Sequence, residues 1–319
     1  MKRTVPTLLV GLSLLAACSG TGSGGSPAPD PSEGDSDTGA IDHPTGGDQA
    51  IFIIEYAGGM IPVQFQVRQT PAFVLLGDGR VIVQGVQTLE FPGPALPPLM
   101  ERTLTESGIQ EVLAAIGETN LFTSDQELRG AQNVVADASD TIFTLDGAGQ
   151  QVTVSIYGLG TLTPMPGQEQ PQGISAAELQ AHQVLQTLND QMLNLDTWLP
   201  EGSWEAEGWQ PYEPEALRMY VRDVTGEPVE GGDLPEQVRT WPTDTDPAAF
   251  GEETDFGDGT RCGVIEGDEA ATWFEDLSAA NQLTLWTLPA DAAARFSVAP
   301  RPLLPHEELI CPDLNAARG

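Results

Sequence analysis

Two short glycine-bearing turns restrict the class of fold open to this chain. Gly77-Asp78-Gly79 separates the apolar run Phe73 to Leu76 from Val81 to Val83, and Asp146-Gly147-Ala148-Gly149 separates Thr141 to Leu145 from Val152 to Ile156. Runs this short are of strand length, and Gly and Asp tolerate the positive φ that a tight connection needs. A parallel pair would need a crossover of about a dozen residues or more between its strands. Hairpins of this kind therefore point to mostly antiparallel sheet.

The remaining segments fit that frame. Ile51 to Tyr56 is another apolar run, and Val63, Phe65 and Val67 alternate with polar residues, as a half-buried strand does. After a Pro-rich loop from Pro92 to Pro98, Ile109, Val112, Leu113 and Ile116 fall at helical spacing, with Thr105 or Ser107 as cap. Ser175 and Glu178 form a capping-box pattern ahead of Leu179, Leu185, Leu188, Met192 and Leu195. Further on, Leu217, Met219 and Val221 alternate as a strand and Cys262 to Ile265 form a short one. Asp268 is placed to cap a helix carrying Trp273, Phe274 and Leu277, and Arg295 to Leu304 reads as extended.

The expected fold is α+β, mostly antiparallel sheet with a few amphipathic helices. The expected division is a first α+β unit at 50–199, a Trp/Glu/Gly/Pro-rich boundary at 200–214 and a second α+β unit at 215–319. The element order is similar in the two. Asn120-Leu121-Phe122 after one helix and Gln282 to Trp286 after the other suggest a diverged duplication, though identity between them is too low to establish one.

The amino terminus carries an address. Lys2 and Arg3 precede an apolar run from Val5 to Leu15, about 11 residues where a spanning helix needs about 20. Leu15-Ala16-Ala17-Cys18 follows. This resembles the lipobox of bacterial lipoprotein precursors. The resemblance implies a signal peptide at 1–17, a diacylglyceryl group on the Cys18 sulfur and further acylation of the freed amine. It also implies residence on the extracytoplasmic face of a cell membrane, with lipid as the first partner. Two or three acyl chains anchor firmly, since each buried methylene contributes about 0.8 kcal/mol. Residues 18–49 then read as the lipidated cysteine and a disordered Ser/Gly/Pro/Asp tether, with a reach of roughly 30 Å. His43 is expected as a solvated residue of that tether. The layout of turn, helix and hairpin is similar to uncharacterised domains of such lipoproteins, a likeness that brings no activity with it.

Charge excludes one class of partner. The leader holds two of the 13 basic residues and none of the 47 acids, which leaves 11 arginines, and no lysine, against 47 carboxylates. That field repels phosphate backbones, so nucleic acid is not an expected partner; a cationic partner or another envelope protein is. The acid excess keeps the chain soluble and also fits adaptation to high salt, where self-repulsion is screened. Two cysteines remain beyond Cys18. In an oxidising compartment Cys262 and Cys311 are expected to form a disulfide.

Catalytic signatures are scarce. The chain beyond the leader contains no Gly-x-Ser-x-Gly elbow, Walker loop or dinucleotide fingerprint, and no cofactor is expected. Of three histidines, His306 opens His306-Glu307-Glu308-Leu309-Ile310, where Ile310 replaces the second metal-binding histidine of a zinc-protease motif, and His182 stands alone on a helix. Asp244, Asp246, Asp255 and Asp258, with Glu252 and Glu253, form an acidic loop that offers calcium oxygen ligands but departs from the EF-hand order. All six tryptophans lie between Trp198 and Trp286. Trp204 and Trp209, beside carboxylates in the boundary, are candidates for stacking on a sugar or peptide or for stapling two units together. The expected function is a non-catalytic binding or interaction module, ahead of a structural envelope protein and a carboxylate-based hydrolase.

Overall fold

The structure, a computed structural model, describes residues 39–87, 89–162, 173–228 and 234–312. The leader, Cys18 and the tether as far as residue 38 lie outside the described residues.

The first half of the chain supplies β1 (Ala50–Gly58), α1 (Val63–Gln66), β2 (Phe73–Leu76), β3 (Arg80–Gln84), β4 (Leu99–Thr103), α2 (Glu106–Glu118), β5 (Gln126–Leu128), β6 (Ser139–Gly147), β7 (Gln150–Tyr157) and α3 (Ala176–Leu193), with β8 (Gln210–Pro211) after them. Its strands form one sheet in the order β5-β7-β6-β1-β2-β3-β4-β8. Both expected hairpins are present, with Val74 opposite Ile82 and Phe143 opposite Val154. In this sheet β5 runs parallel to β7 and the other neighbouring pairs run antiparallel. Gly79 is required at its turn: its φ is +86°, and a Cβ there would stand 2.5 Å from the Leu104 carbonyl oxygen.

Every residue of β2 is buried, because both faces of the sheet centre are covered. Phe73 and Leu75 join the core under α2 and α3, while Val74 and Leu76 pack on the other side with Ile82, Leu99 and Leu304. α2 is held by its apolar stripe, Ile109, Val112, Leu113 and Ile116, each contributing about 1.5–3 kcal/mol by burial. Its cap is Thr105, whose side chain accepts from Gly108 N. α3 uses half of a capping box. Ser175 accepts from Glu178 N, but the Glu178 carboxylate accepts from Gly130 N instead of returning to its own cap.

A second sheet contains β9 (Ala216–Asp223), β10 (Val238–Thr240), β11 (Glu252–Glu253), β12 (Arg261–Glu266), β13 (Leu285–Thr287) and β14 (Phe296–Pro302), in the order β10-β13-β14-β9-β12-β11, with α4 (Gly267–Ser278) on one face. Leu217, Met219 and Val221 of β9 meet Trp241, Trp273, Trp286 and Phe296 there, and Trp273 stands 4.7 Å from both Trp241 and Trp286. Cys262 and Cys311 are at disulfide-bonding distance, with Cα atoms 6.0 Å apart. The fold is thus α+β, with two mostly antiparallel sheets in one compact unit. The sheets are wired differently. After its helix, the first sheet puts the earlier strand of a pair, β6, beside central β1, whereas the second puts the later one, β14, beside central β9. Among the described residues no helix is long and apolar enough to cross a membrane.

Four local expectations are corrected. Val63, Phe65 and Val67 are not a strand: Val63 to Gln66 form α1, and Val67 N bonds Val63 O at 3.0 Å. Val63 and Val67 thereby share one face, toward Tyr220 and Cys262. The tether ends earlier than Gln49. Gln110 clamps both backbone groups of Ile41, Ala148 N bonds Asp42 O, and the His43 side chain, 5% exposed, meets Glu106 at 3.2 Å. Residues 200–214 belong to the first sheet's packing, through β8 and buried Trp204. Glu266, with no side-chain cap bond, occupies the cap of α4, and Asp268 lies inside its first turn.

Candidate ligand-binding cavity

The face of the second sheet turned away from α4 is built by alternation. As Leu217, Met219 and Val221 point to the tryptophan core, Tyr220 is directed to the opposite side, where Cys262 of β12 and Ala299 of β14 are its cross-strand neighbours. α1 lies across that side through Val63 and Val67, so a helix from the first half of the chain covers a sheet from the second. Phe256 stacks on Tyr220, with ring centroids 6.1 Å apart and planes 18° apart. Between these groups lies a cavity of about 530 Å³, with Leu283, Leu285 and Val298 among its apolar lining. That volume is within the roughly 300–1,000 Å³ of small-molecule sites.

Three arginines line the cavity, Arg68, Arg222 and Arg295, together with three acids, Glu227, Glu236 and Asp258. Arg222 Nη1 donates to both Glu227 oxygens at 2.8 and 2.9 Å, and its Nε stands 3.9 Å from Asp258. Arg295 faces Glu236 at 3.6 Å. Burial pulls Asp258 upward, but the Thr260 hydrogen bonds and Arg222 outweigh it and hold the carboxyl below its usual range.

Arg68 differs. Its Nη2 donates to Ala95 O at 2.5 Å, and among the described residues no carboxylate pairs with it. Burial lowers its pKa to about 10, the charged form being the one that loses hydration. Arg68 also lines an adjoining cleft of about 350 Å³ that is rich in amides, Gln69, Gln84, Gln87 and Gln282, with Thr70 and Glu90. Phe65, Arg68 and Gln282 are common to both spaces. Val86, Leu89 and Phe91, neighbours in sequence of the cleft residues, are exposed.

The residues expected from sequence fall elsewhere, apart from Asp258. Trp204 is buried, and the Arg102 guanidinium sits 4.0 Å over its ring. Trp209 packs edge-on against Trp204 and donates Nε1 to Asp196, which also accepts from Arg102. The pair therefore staples residues 196–209 to the first core. Asp246 caps a short turn at Ala248 N, Asp244 and Asp255 are exposed, and Asp258 faces Arg222; among the described residues no three His, Cys, Asp or Glu side chains converge to hold a metal. Glu307, from the His306 motif, is bound by Arg301. His182 is buried with both ring nitrogens unpartnered, and burial pushes its pKa down. Arg68, Tyr220 and Phe256 carried no motif. One signal did mark Arg68: from Tyr56 to Gly77, in a chain of 47 acids, there is no acid at all.

No protein-family model, curated protein or solved structure matches this chain.

Proposed function

We propose that this chain is an exported lipoprotein, held at the extracytoplasmic face of a membrane by lipid on Cys18, whose folded body is a binding module for a small ligand. The observation that carries the binding reading is the cavity of about 530 Å³ between α1 and the second sheet, whose lining joins apolar side chains to three arginines and three acids. The acids that line it are each engaged by an arginine, an arrangement that fixes polarity for recognition and favours binding over carboxylate-based hydrolysis. The Leu15-Ala16-Ala17-Cys18 pattern supports the anchor. A cationic or envelope partner remains compatible with the acidic surface.

A neutral fluorescent probe, N-phenyl-1-naphthylamine, tests the module. Saturable fluorescence is expected with the native chain and is expected to vanish in Ala299→Trp, which fills the cavity. Equal fluorescence from both proteins overturns the cavity as a binding site. Metabolic labelling with palmitate tests the anchor: label on the native chain and none on Cys18→Ala is expected, and label retained by the variant overturns it.

A further inference from the structure

Arg68 is the feature of the cavity that the packing of the protein does not account for. A guanidinium has five N–H donors, and among the described residues this one has a single acceptor, Ala95 O. Arg68 lines both the cavity and the adjoining cleft, so its other donors are available to whatever enters. Each other described arginine is in an ion pair or is held by two backbone carbonyls, as Arg218 is by Ile310 and Glu308 and Arg261 by Phe250 and Gly251. In a chain with 47 acids, a cation that among the described residues has no carboxylate, at the edge of a cavity of about 530 Å³, is a place for an anion that enters from outside.

The surroundings limit that anion. Arg222 and Arg295 are committed to Glu227, Asp258 and Glu236, so among the described residues one free positive charge faces the cavity and a dianion would be under-neutralised. The net negative field of the chain disfavours a dianion further. A ligand cation would find each of the cavity's own acids, Glu227, Glu236 and Asp258, already beside an arginine, Glu90 lying in the adjoining cleft. The walls next to Arg68 are Val63, Phe65 and Val67, facing Tyr220 and Phe256, which suit a hydrocarbon or aryl group.

We propose that the cavity takes a monocarboxylate with an apolar body, its carboxylate on the open donors of Arg68 and its body between α1 and the Tyr220–Phe256 pair. This rests on the binding reading above and names the chemistry of the ligand.

Calorimetric titration of the full, unlipidated chain with decanoate, 1-decanol and decyl phosphate tests it. Decanoate is expected to bind about tenfold or more tightly than decanol, the usual worth of a hydrogen bond to a charged group. In Arg68→Gln that preference is expected to close while decanol affinity stays the same, and Arg68→Lys is expected to keep part of it. A preference that survives Arg68→Gln overturns the proposal. So does equal binding of decanoate and decanol by the native chain, or decyl phosphate binding more tightly than decanoate. If the neutral naphthylamine probe binds but decanoate shows no advantage, the ligand class fails and the cavity reading stands. If neither the probe nor any decyl compound binds, both fall.

Discussion

Arg301 grips Glu307 with both terminal nitrogens, Nη1 to Oε2 at 2.9 Å and Nη2 to Oε1 at 2.6 Å, and Glu307 also accepts from Leu304 N at 2.8 Å. The side chains are 9% and 15% exposed, so this is a nearly buried pair. It closes the turn after β14 and fixes Leu304 against β2 and β3. Burial pulls Glu307 upward, but its bond to Arg301 outweighs this and leaves the carboxyl below its ordinary 4.5. A carboxyl lowered on folding stabilises above its unfolded pKa, and that contribution is lost as pH falls below 4.5 through the folded value. Glu307→Gln is expected to lower stability at pH 7 by about 3 kcal/mol, since Arg301 is left buried without its partner. Urea unfolding at pH 7 and pH 3.5 checks both points: the gap between native and variant should narrow in acid.

The histidines impose a different acid limit. His182 is 4% exposed with neither nitrogen partnered, and His306 Nδ1 is likewise without an acceptor or donor. Burial lowers both from the ordinary 6.5, against the opposing pull of Glu178 on one and Glu307 on the other. The folded state therefore prefers the neutral rings. Stability is expected to be full above pH 6.5 and to fall as pH drops below it toward the folded values. His182→Leu is expected to shrink the fall in melting temperature between pH 7.5 and pH 5; an unchanged fall would count against this assignment.

Hairpins were legible because their information is local. Gly79 and the Asp146–Gly149 turn state their backbone needs within four residues, and β2, β3, β6 and β7 follow from them. α1 was not legible, because Val63, Phe65 and Val67 satisfy a period of two as well as the i, i+4 spacing of a helix. What decides is Tyr220 and Cys262, more than a hundred residues away, against which only Val63 and Val67 pack. His43 failed for the same reason: its docking depends on Gln110 and Glu106, which the Gly/Pro/Asp composition of its own segment does not reveal. The pairing of Cys262 with Cys311 was readable from the even cysteine count beyond Cys18, whereas the cavity, assembled from distant segments, had only the acid-free stretch around Arg68 to announce it.

Arg68 should cost the empty protein stability. Its pKa falls to about 10 on folding, so the cost of burying the charge is felt in full below about pH 10 and is relieved only as pH rises past that value. Arg68→Met is expected to stabilise the ligand-free chain at pH 7 by roughly 1 kcal/mol, or about 2–4 °C in melting temperature. A lower melting temperature in Arg68→Met would show that the Ala95 bond outweighs the desolvation.

The bond between Cys262 and Cys311 closes a separation of 49 residues. Cys311→Ser is expected to reduce stability by about 2–4 kcal/mol through the freedom returned to the unfolded chain. Chemical denaturation with and without reductant checks it, since reductant should bring the native chain to the variant's midpoint and leave the variant unmoved.

Gln69, at the end of the segment that covers the cavity, accepts a hydrogen bond from Arg301 Nε across 232 residues of chain. During synthesis the roof of the cavity is therefore made long before its floor. Val63 and Val67 emerge with nothing to cover them until β9, β12 and β14 have followed, a delay that exposes apolar surface to other chains. Ligand capture is then a property of the finished polypeptide alone: any product truncated ahead of β14 possesses Arg68 but has no complete pocket in which to use it.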